Sequence, residues 1–121
     1  MNYDSITRVD SQLRPEVAFL ISKMSFGRRL DLIRRIRELA LRYEFLNAGT
    51  SPKEKLEAAS LSADIDHLYV SWGLQQLVGL EIDGVAATPE LLASHGPEDL
   101  FQEAVTVVKA QCGLSEVERK N

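Results

Sequence analysis

The first 24 residues have the alternating, β-branched pattern of extended chain. Ser5 to Val9 alternates apolar and polar side chains, and Glu16 to Met24 is rich in β-branched and aromatic residues. We predict that these two segments pair antiparallel as a β-ribbon. Because a two-stranded ribbon is only marginally stable alone, it must pack on helices or pair with another chain.

The next segment has the apolar spacing of an amphipathic helix. Ser25 is a typical N-cap residue, and the pattern runs to Ala48, just before Gly49. Apolar residues recur at steps of three and four: Phe26, Leu30, Ile33, Ile36, Ala40 and Tyr43. We predict one helix here.

A second long helix begins with a strong start signal. Ser51 is followed by Pro52, which suits the first helical position, and Glu54 completes a capping box with Ser51. The apolar pattern predicts that this helix continues to Val78, with Gly79 as its stop. Residues 25–78 are therefore predicted to form a helical hairpin.

The second helix has apolar residues on two sides. One predicted stripe contains Leu56, Ala59, Ala63, Val70, Leu74 and Leu77, and the other contains Leu61, Ile65, Leu68 and Trp72. A helix that is apolar on two sides must be covered on two sides. We therefore predict that the second stripe contacts either the rest of the chain or a partner, with Trp72 equally suited to a core and to an interface.

The last third of the chain predicts short elements. Asp83-Gly84 favours a tight hairpin turn, Thr88-Pro89 begins a short helix that ends near His95, and Pro97 begins a longer helix. That longer helix is predicted to stop at Gly113, and Ser115 to Glu118 forms a further capping box.

Together these elements predict an α-rich α+β fold in a single domain over residues 1–121. It has two long helices, shorter C-terminal helices, the N-terminal β-ribbon and the Asp-Gly hairpin. The length of 121 residues suits one domain, and 45% hydrophobic and 26% charged residues are close to globular averages. A single cysteine, Cys112, and an N-terminus without a signal-peptide pattern favour a cytoplasmic protein, and no apolar run is long enough to predict a membrane span.

Charge is distributed unevenly. Residues 23–42 contain seven basic and two acidic side chains, although the whole chain has a net charge of −4. An arginine-rich helix on an acidic body can contact nucleic acid or an acidic protein partner, or it can be a solvated face held by pairs such as Asp31 and Arg35.

No catalytic, metal-binding or cofactor-binding pattern occurs in the sequence. His67 and His95 are 28 residues apart and have no second cysteine or flanking histidine beside them. The chain has neither a glycine-rich phosphate loop nor a Gly-x-Ser-x-Gly nucleophile motif. We therefore expect no enzymatic activity, no metal and no cofactor.

The order of features resembles that of the tail assembly chaperones of long-tailed bacteriophages and prophages, which are encoded just before the tape-measure protein. Five runs carry this resemblance: Lys23-Met24-Ser25-Phe26-Gly27-Arg28-Arg29-Leu30, Leu68-Tyr69-Val70-Ser71-Trp72-Gly73-Leu74, Gly79-Leu80-Glu81-Ile82-Asp83-Gly84, Thr88-Pro89-Glu90-Leu91-Leu92, and Leu114-Ser115-Glu116-Val117-Glu118-Arg119-Lys120-Asn121.

The resemblance implies a non-enzymatic, helical assembly factor in the cytoplasm of a bacterial host. Such a factor binds the tape-measure protein, helps to recruit tail-tube subunits and forms homo-oligomers. From the residues themselves, our candidates for partner contact are Arg28, Arg34, Arg35, Arg42, Leu61, Ile65, Leu68 and Trp72. The alternative is a nucleic-acid-binding accessory protein that uses the arginine-rich helix over residues 25–48.

Overall fold

The computed structural model describes residues 1–113. Its elements, in chain order, are β1 (Ile6–Asp10), β2 (Ala18–Ser22), α1 (Phe26–Asn47), α2 (Pro52–Gly73), β3 (Leu74–Val78), β4 (Glu81–Ile82), β5 (Val85–Ala86), α3 (Pro89–His95) and α4 (Glu98–Cys112). This is the predicted α-rich α+β fold with an N-terminal β-ribbon. The capping box predicted at residues 115–118 lies outside the described residues.

The described residues divide into two compact units. One unit, here called the sheet unit, contains Met1–Met24 and Tyr69–Gly113. The other, here called the hairpin unit, contains Ser25–Leu68, and therefore α1 and the larger part of α2. The boundary between the units falls within α2.

The sheet unit is built around β2, the central strand of a three-stranded antiparallel sheet in the order β1-β2-β3. Phe19 of β2 lies opposite Val9 of β1 on one side and opposite Leu77 of β3 on the other. Phe19 and Ile21 are fully buried, as are Leu100 and Val108 of α4. The predicted ribbon is thus stabilised by a third strand and a buried apolar core.

The predicted end of the second helix was wrong. The helix stops at Gly73, and residues 74–78 form β3 instead of its last turns. Leu74 and Leu77 are both buried, and their spacing of three fits a helix. In the strand they share a face because the β2–β3 register shifts between Leu20 and Ile21, so that Leu74 pairs with Ile21 and Leu77 with Phe19.

The C-terminal turns and caps follow the sequence prediction. Asp83 and Gly84 have φ angles of 53° and 79°, as a tight hairpin turn between β4 and β5 requires. The Thr88 side chain accepts a hydrogen bond from the Leu91 N–H at the start of α3. Gly113 ends α4 in a left-handed conformation.

The helices of the hairpin unit begin at the predicted residues. The Ser25 side chain accepts a hydrogen bond from the Arg28 N–H at 3.2 Å, and the Ser51 side chain accepts one from the Glu54 N–H at 3.1 Å. The Glu54 carboxylate returns to the Ser51 N–H at 3.4 Å and completes the capping box.

The glycine that ends α2 is tightly packed, which makes the transition from α2 to β3 testable. A Cβ at Gly73 would lie 2.5 Å from Cγ1 of Val108, which is fully buried. We expect Gly73→Ala to lower the free energy of unfolding by about 1–3 kcal/mol, measured by urea denaturation, because the core must shift to admit the methyl group. Adding Val108→Ala makes room, so the double variant should lose less than the sum of the two single changes.

Gly27→Ala is the matched control, because nothing lies within 4 Å of a Cβ at that position. We expect it to leave the free energy of unfolding unchanged or slightly higher. A Gly73→Ala protein as stable as the unchanged chain would contradict this description of the core.

Candidate protein-binding surface

One side of α1 forms the buried side of the helix. Its apolar residues follow each other at steps of four and three, as in a helix-packing seam. Leu32 and Ile36 are fully buried, and the next residues along the same line, Leu39, Tyr43 and Leu46, are half-buried.

A second line of residues runs along the opposite side of α1. We call it the outer seam, and it consists of Phe26, Leu30, Arg34, Arg37, Leu41 and Phe45. Its four apolar side chains are exposed by 82%, 39%, 47% and 76% in chain order, and both arginines are exposed. The steps of four, four, three, four and four residues keep the whole line on one face of the helix.

The outer seam has two apolar ends and a basic centre. Phe26 and Leu30 form the first end, and Leu41 and Phe45 form the second. At about 1.5 Å of rise per residue, Leu30 and Leu41 are about 16 Å apart along the helix axis, with the two arginines between them. This arrangement complements an amphipathic helix that has apolar residues at two positions and carboxylates between them.

An open groove lies between the C-terminal half of α1 and the first turns of α2. A cavity of about 380 Å³ is lined by Leu41, Arg42, Phe45, Leu46 and Glu57. A neighbouring cavity of about 270 Å³ shares Arg42, Leu46 and Glu57 and adds Leu39, Ser60, Leu61 and Asp64. The groove therefore extends the second apolar end of the outer seam toward α2.

The predicted arginines lie on different parts of α1. Arg34 is on the outer seam, and Arg35 and Arg42 are exposed beside it. Arg35 Nε forms an ion pair with Asp31 Oδ2 at 3.0 Å, so the predicted pairing along the helix is present there. Arg28 is half-buried.

The predicted apolar stripe on α2 is mostly half-buried. Leu61 is 7% exposed and lines the smaller cavity of the groove, so little of its side chain is open to a partner; its assignment as a partner-contact residue stays a prediction. Ile65, Leu68 and Trp72 are half-buried and continue the same line of the helix. On the opposite stripe, Leu56 is 73% exposed.

The sequence prediction missed the exposed apolar residues of α1. It placed Phe26, Leu30 and Ile36 on a single stripe, although Ile36 is fully buried and the other two are exposed. The buried and exposed residues separate when the helix is divided into two lines. One line is the outer seam, and the other consists of Leu32, Ile36, Leu39, Tyr43 and Leu46. The signal was therefore present in the spacing, because α1 carries two seams.

Among residues 1–113, no group of three or more His, Cys, Asp or Glu side chains is placed to hold a metal ion. Within the same range, no helix combines the length and apolar character that crossing a membrane requires.

Comparisons with known proteins do not indicate a function for this chain. No protein-family model, no curated protein and no solved structure matches this chain.

The difference between the two seams of α1 predicts a difference in stability. Leu32→Ala should lower the free energy of unfolding by about 2–5 kcal/mol, because it leaves a cavity among buried groups. Leu41→Ala makes the same change on the outer seam and should cost less than about 1 kcal/mol. Urea denaturation of both variants measures the difference, and equal losses would show that Leu41 is as buried as Leu32.

Proposed function

We propose that this chain is a non-enzymatic assembly factor of the phage tail assembly chaperone type. It binds an amphipathic helix of the tape-measure protein along the outer seam of α1, and it helps to recruit tail-tube subunits. The observation that carries this proposal is the exposure of Phe26, Leu30, Leu41 and Phe45 in one line on one helix.

The physical reason is the hydrophobic effect. Exposed large side chains scattered singly are ordinary on protein surfaces, whereas several of them grouped on one face of one helix are typical of an interaction site. Burying Phe26 and Phe45 against a partner removes much of their apolar surface from water, with about 1.5–3 kcal/mol available from each fully buried side chain. This favours a partner that is itself amphipathic.

Charge selects among amphipathic partners. Arg34 and Arg37 lie at the centre of the seam, and Arg42 lies beside its second apolar end. A partner helix with carboxylates at its middle positions pairs with these guanidinium groups, whereas a basic helix is repelled. We therefore propose an acidic amphipathic segment of the long helical tape-measure protein as the occupant.

The resemblance to tail assembly chaperones supplies the biological setting for this surface. It implies that the gene for a long helical protein lies next to the gene for this chain. Such a protein exposes apolar stripes before the tail tube encloses it, and a chaperone that covers those stripes keeps it from aggregating.

Coexpression with the tape-measure protein encoded beside this gene tests the proposal. We expect a soluble complex, and we expect Leu30→Ser with Phe45→Ser to weaken its dissociation constant at least about tenfold, because both apolar ends of the seam are lost. Arg34→Glu with Arg37→Glu should weaken binding by a similar factor through repulsion of the acidic partner. Isothermal titration calorimetry with the purified partner measures both effects.

Leu56→Ser and Lys53→Glu are the matched controls. Both positions are exposed on α2, and neither belongs to the outer seam or lines the groove beside it, so both variants should bind as the unchanged chain does. Equal affinities for the seam variants and the controls would contradict the proposal, as would a neighbouring gene without a long helical product.

Salt dependence distinguishes the nucleic-acid alternative. If the arginines of α1 neutralise phosphates, affinity for a DNA or RNA duplex falls linearly on a plot of log affinity against log salt. The helix-binding function instead predicts no saturable duplex binding at physiological salt and a tape-measure complex whose affinity falls less steeply with salt, because its apolar contacts are not screened. Tight duplex binding that is lost on Arg34→Glu with Arg37→Glu would favour the alternative.

A further inference from the structure

The edge of the sheet is a second surface with its own geometry. β1 is an outer strand in the sheet order β1-β2-β3, and in residues 1–113 no further strand pairs with it. The Lys23 N–H donates to the Ser5 carbonyl at 2.8 Å, and the Ser11 N–H donates to the Val17 carbonyl at 2.9 Å. These bonds fix which backbone groups of β1 face its neighbour.

Hydrogen bonding alternates along an antiparallel ladder, so the odd-numbered residues of β1 direct their backbone groups toward β2. The even-numbered residues, Ile6, Arg8 and Asp10, therefore direct their N–H and C=O groups toward the open edge. All three are exposed. The edge thus presents three consecutive donor and acceptor pairs, which is the arrangement that strand addition requires.

The side chains on this edge have opposite charges two residues apart. Arg8 Nε lies 3.1 Å from Asp10 Oδ1, and the two side chains are exposed by 59% and 73%. In an antiparallel pair of identical strands, a two-fold axis through Val9 places Arg8 of each copy directly opposite Asp10 of the other. The strand is therefore complementary in charge to a second copy of itself.

We propose that β1 pairs antiparallel with β1 of a second copy of this chain, with Val9 on the two-fold axis. Charge selects this register. A two-fold axis through Arg8 places the two Arg8 side chains opposite each other, and an axis through Asp10 does the same to the two carboxylates. With the axis through Val9, both cross-strand pairs are between opposite charges.

The apolar face of the sheet supports the same register. Val9 lies opposite Phe19, a fully buried residue, and Val9 is half-buried at the edge. Pairing two copies brings their Val9 side chains together at a position without backbone hydrogen bonds, where opposed side chains approach closely. The buried face of each sheet then continues across the axis, and two three-stranded sheets become one of six strands.

The length of the pairing is limited at the end of β1. The Glu103 carboxylate accepts hydrogen bonds from the Ser11 hydroxyl at 2.5 Å and from the Gln12 N–H at 2.8 Å. Residues beyond Asp10 are thereby held against α4. With the axis through Val9, Thr7 and Ile6 would face Ser11 and Gln12 of the other copy, so the ladder is confined to residues 8–10 of each chain. So short an interface buries less than the roughly 1,200 Å² of small stable complexes, and we expect a dissociation constant in the micromolar range.

Charge exchange between the two positions tests the proposal by sedimentation equilibrium. The unchanged chain should show a concentration-dependent dimer, and Arg8→Asp or Asp10→Arg alone should weaken it at least tenfold by opposing like charges. The double variant Arg8→Asp with Asp10→Arg restores opposite charges and should dimerise as the unchanged chain does. An equimolar mixture of the two single variants should form the mixed dimer.

Far-UV circular dichroism confirms that each single variant retains its fold. A chain that is monomeric at several hundred micromolar would overturn the proposal. A dimer that is equally stable in the unchanged chain and in both single variants would also overturn it, because the interface would then lie elsewhere.

Cysteine crosslinking tests the position of the axis independently. Val9→Cys places two thiols opposite each other at a spacing that a disulfide can bridge, and mild oxidation should give a covalent dimer. Thr7→Cys is the control, because it is half-buried on the same face of β1 but is offset by four residues from its copy in the second strand. Both variants retain the buried Cys112. Equal crosslinking at both positions, or none at Val9→Cys, would contradict the proposed register.

Discussion

The constraint on which the structure depends is that α1 carries two apolar seams but buries only one of them. Leu32 and Ile36 are fully covered, while Phe26 and Phe45 on the other side are more than three-quarters exposed. A helix with two apolar sides is stable in water only if at least one side is well packed. The apolar surface of the other side then stays exposed to water and can be buried by a partner. The hairpin unit thus combines a packed side with a side suited to another helix.

The sequence predicted the local features of the fold because local chemistry determines them. The Ser51 capping box and the Asp83-Gly84 turn each depend on a few neighbouring residues, and the structure confirms both. The end of α2 depends on a distant segment instead. Leu74 and Leu77 have helical spacing, but β2 offers them a strand edge, and the irregular register places both on the buried face. Sequence spacing cannot distinguish a helix from such a strand.

The candidate site was predictable only in part. The sequence indicated two apolar stripes on the second helix, and it located the arginines on α1. It did not separate Leu61, which is 7% exposed, from Leu56, which is 73% exposed, because apolar spacing alone does not say which side of a helix is covered. Which side of the helix is covered depends on tertiary packing, and both stripes are apolar enough to be buried.

The two units differ in charge in a way that suits different contacts. The sheet unit contains four basic and nine acidic side chains, whereas α1 contains six arginines and three acidic residues. An acidic partner helix is therefore attracted to α1 and repelled by the sheet unit. The edge of β1 carries one basic and one acidic side chain, Arg8 and Asp10. It therefore complements in charge the same edge of a second copy.

Hydroxyl-radical footprinting of the chain, alone and in complex with the tape-measure protein, measures the use of the outer seam most directly. We expect Phe26 and Phe45 to be labelled strongly in the free chain and to lose most of that labelling in the complex, while Leu56 is labelled equally in both. Unchanged labelling of Phe26 and Phe45 in a complex shown to be intact would contradict the assignment of α1 as the binding surface.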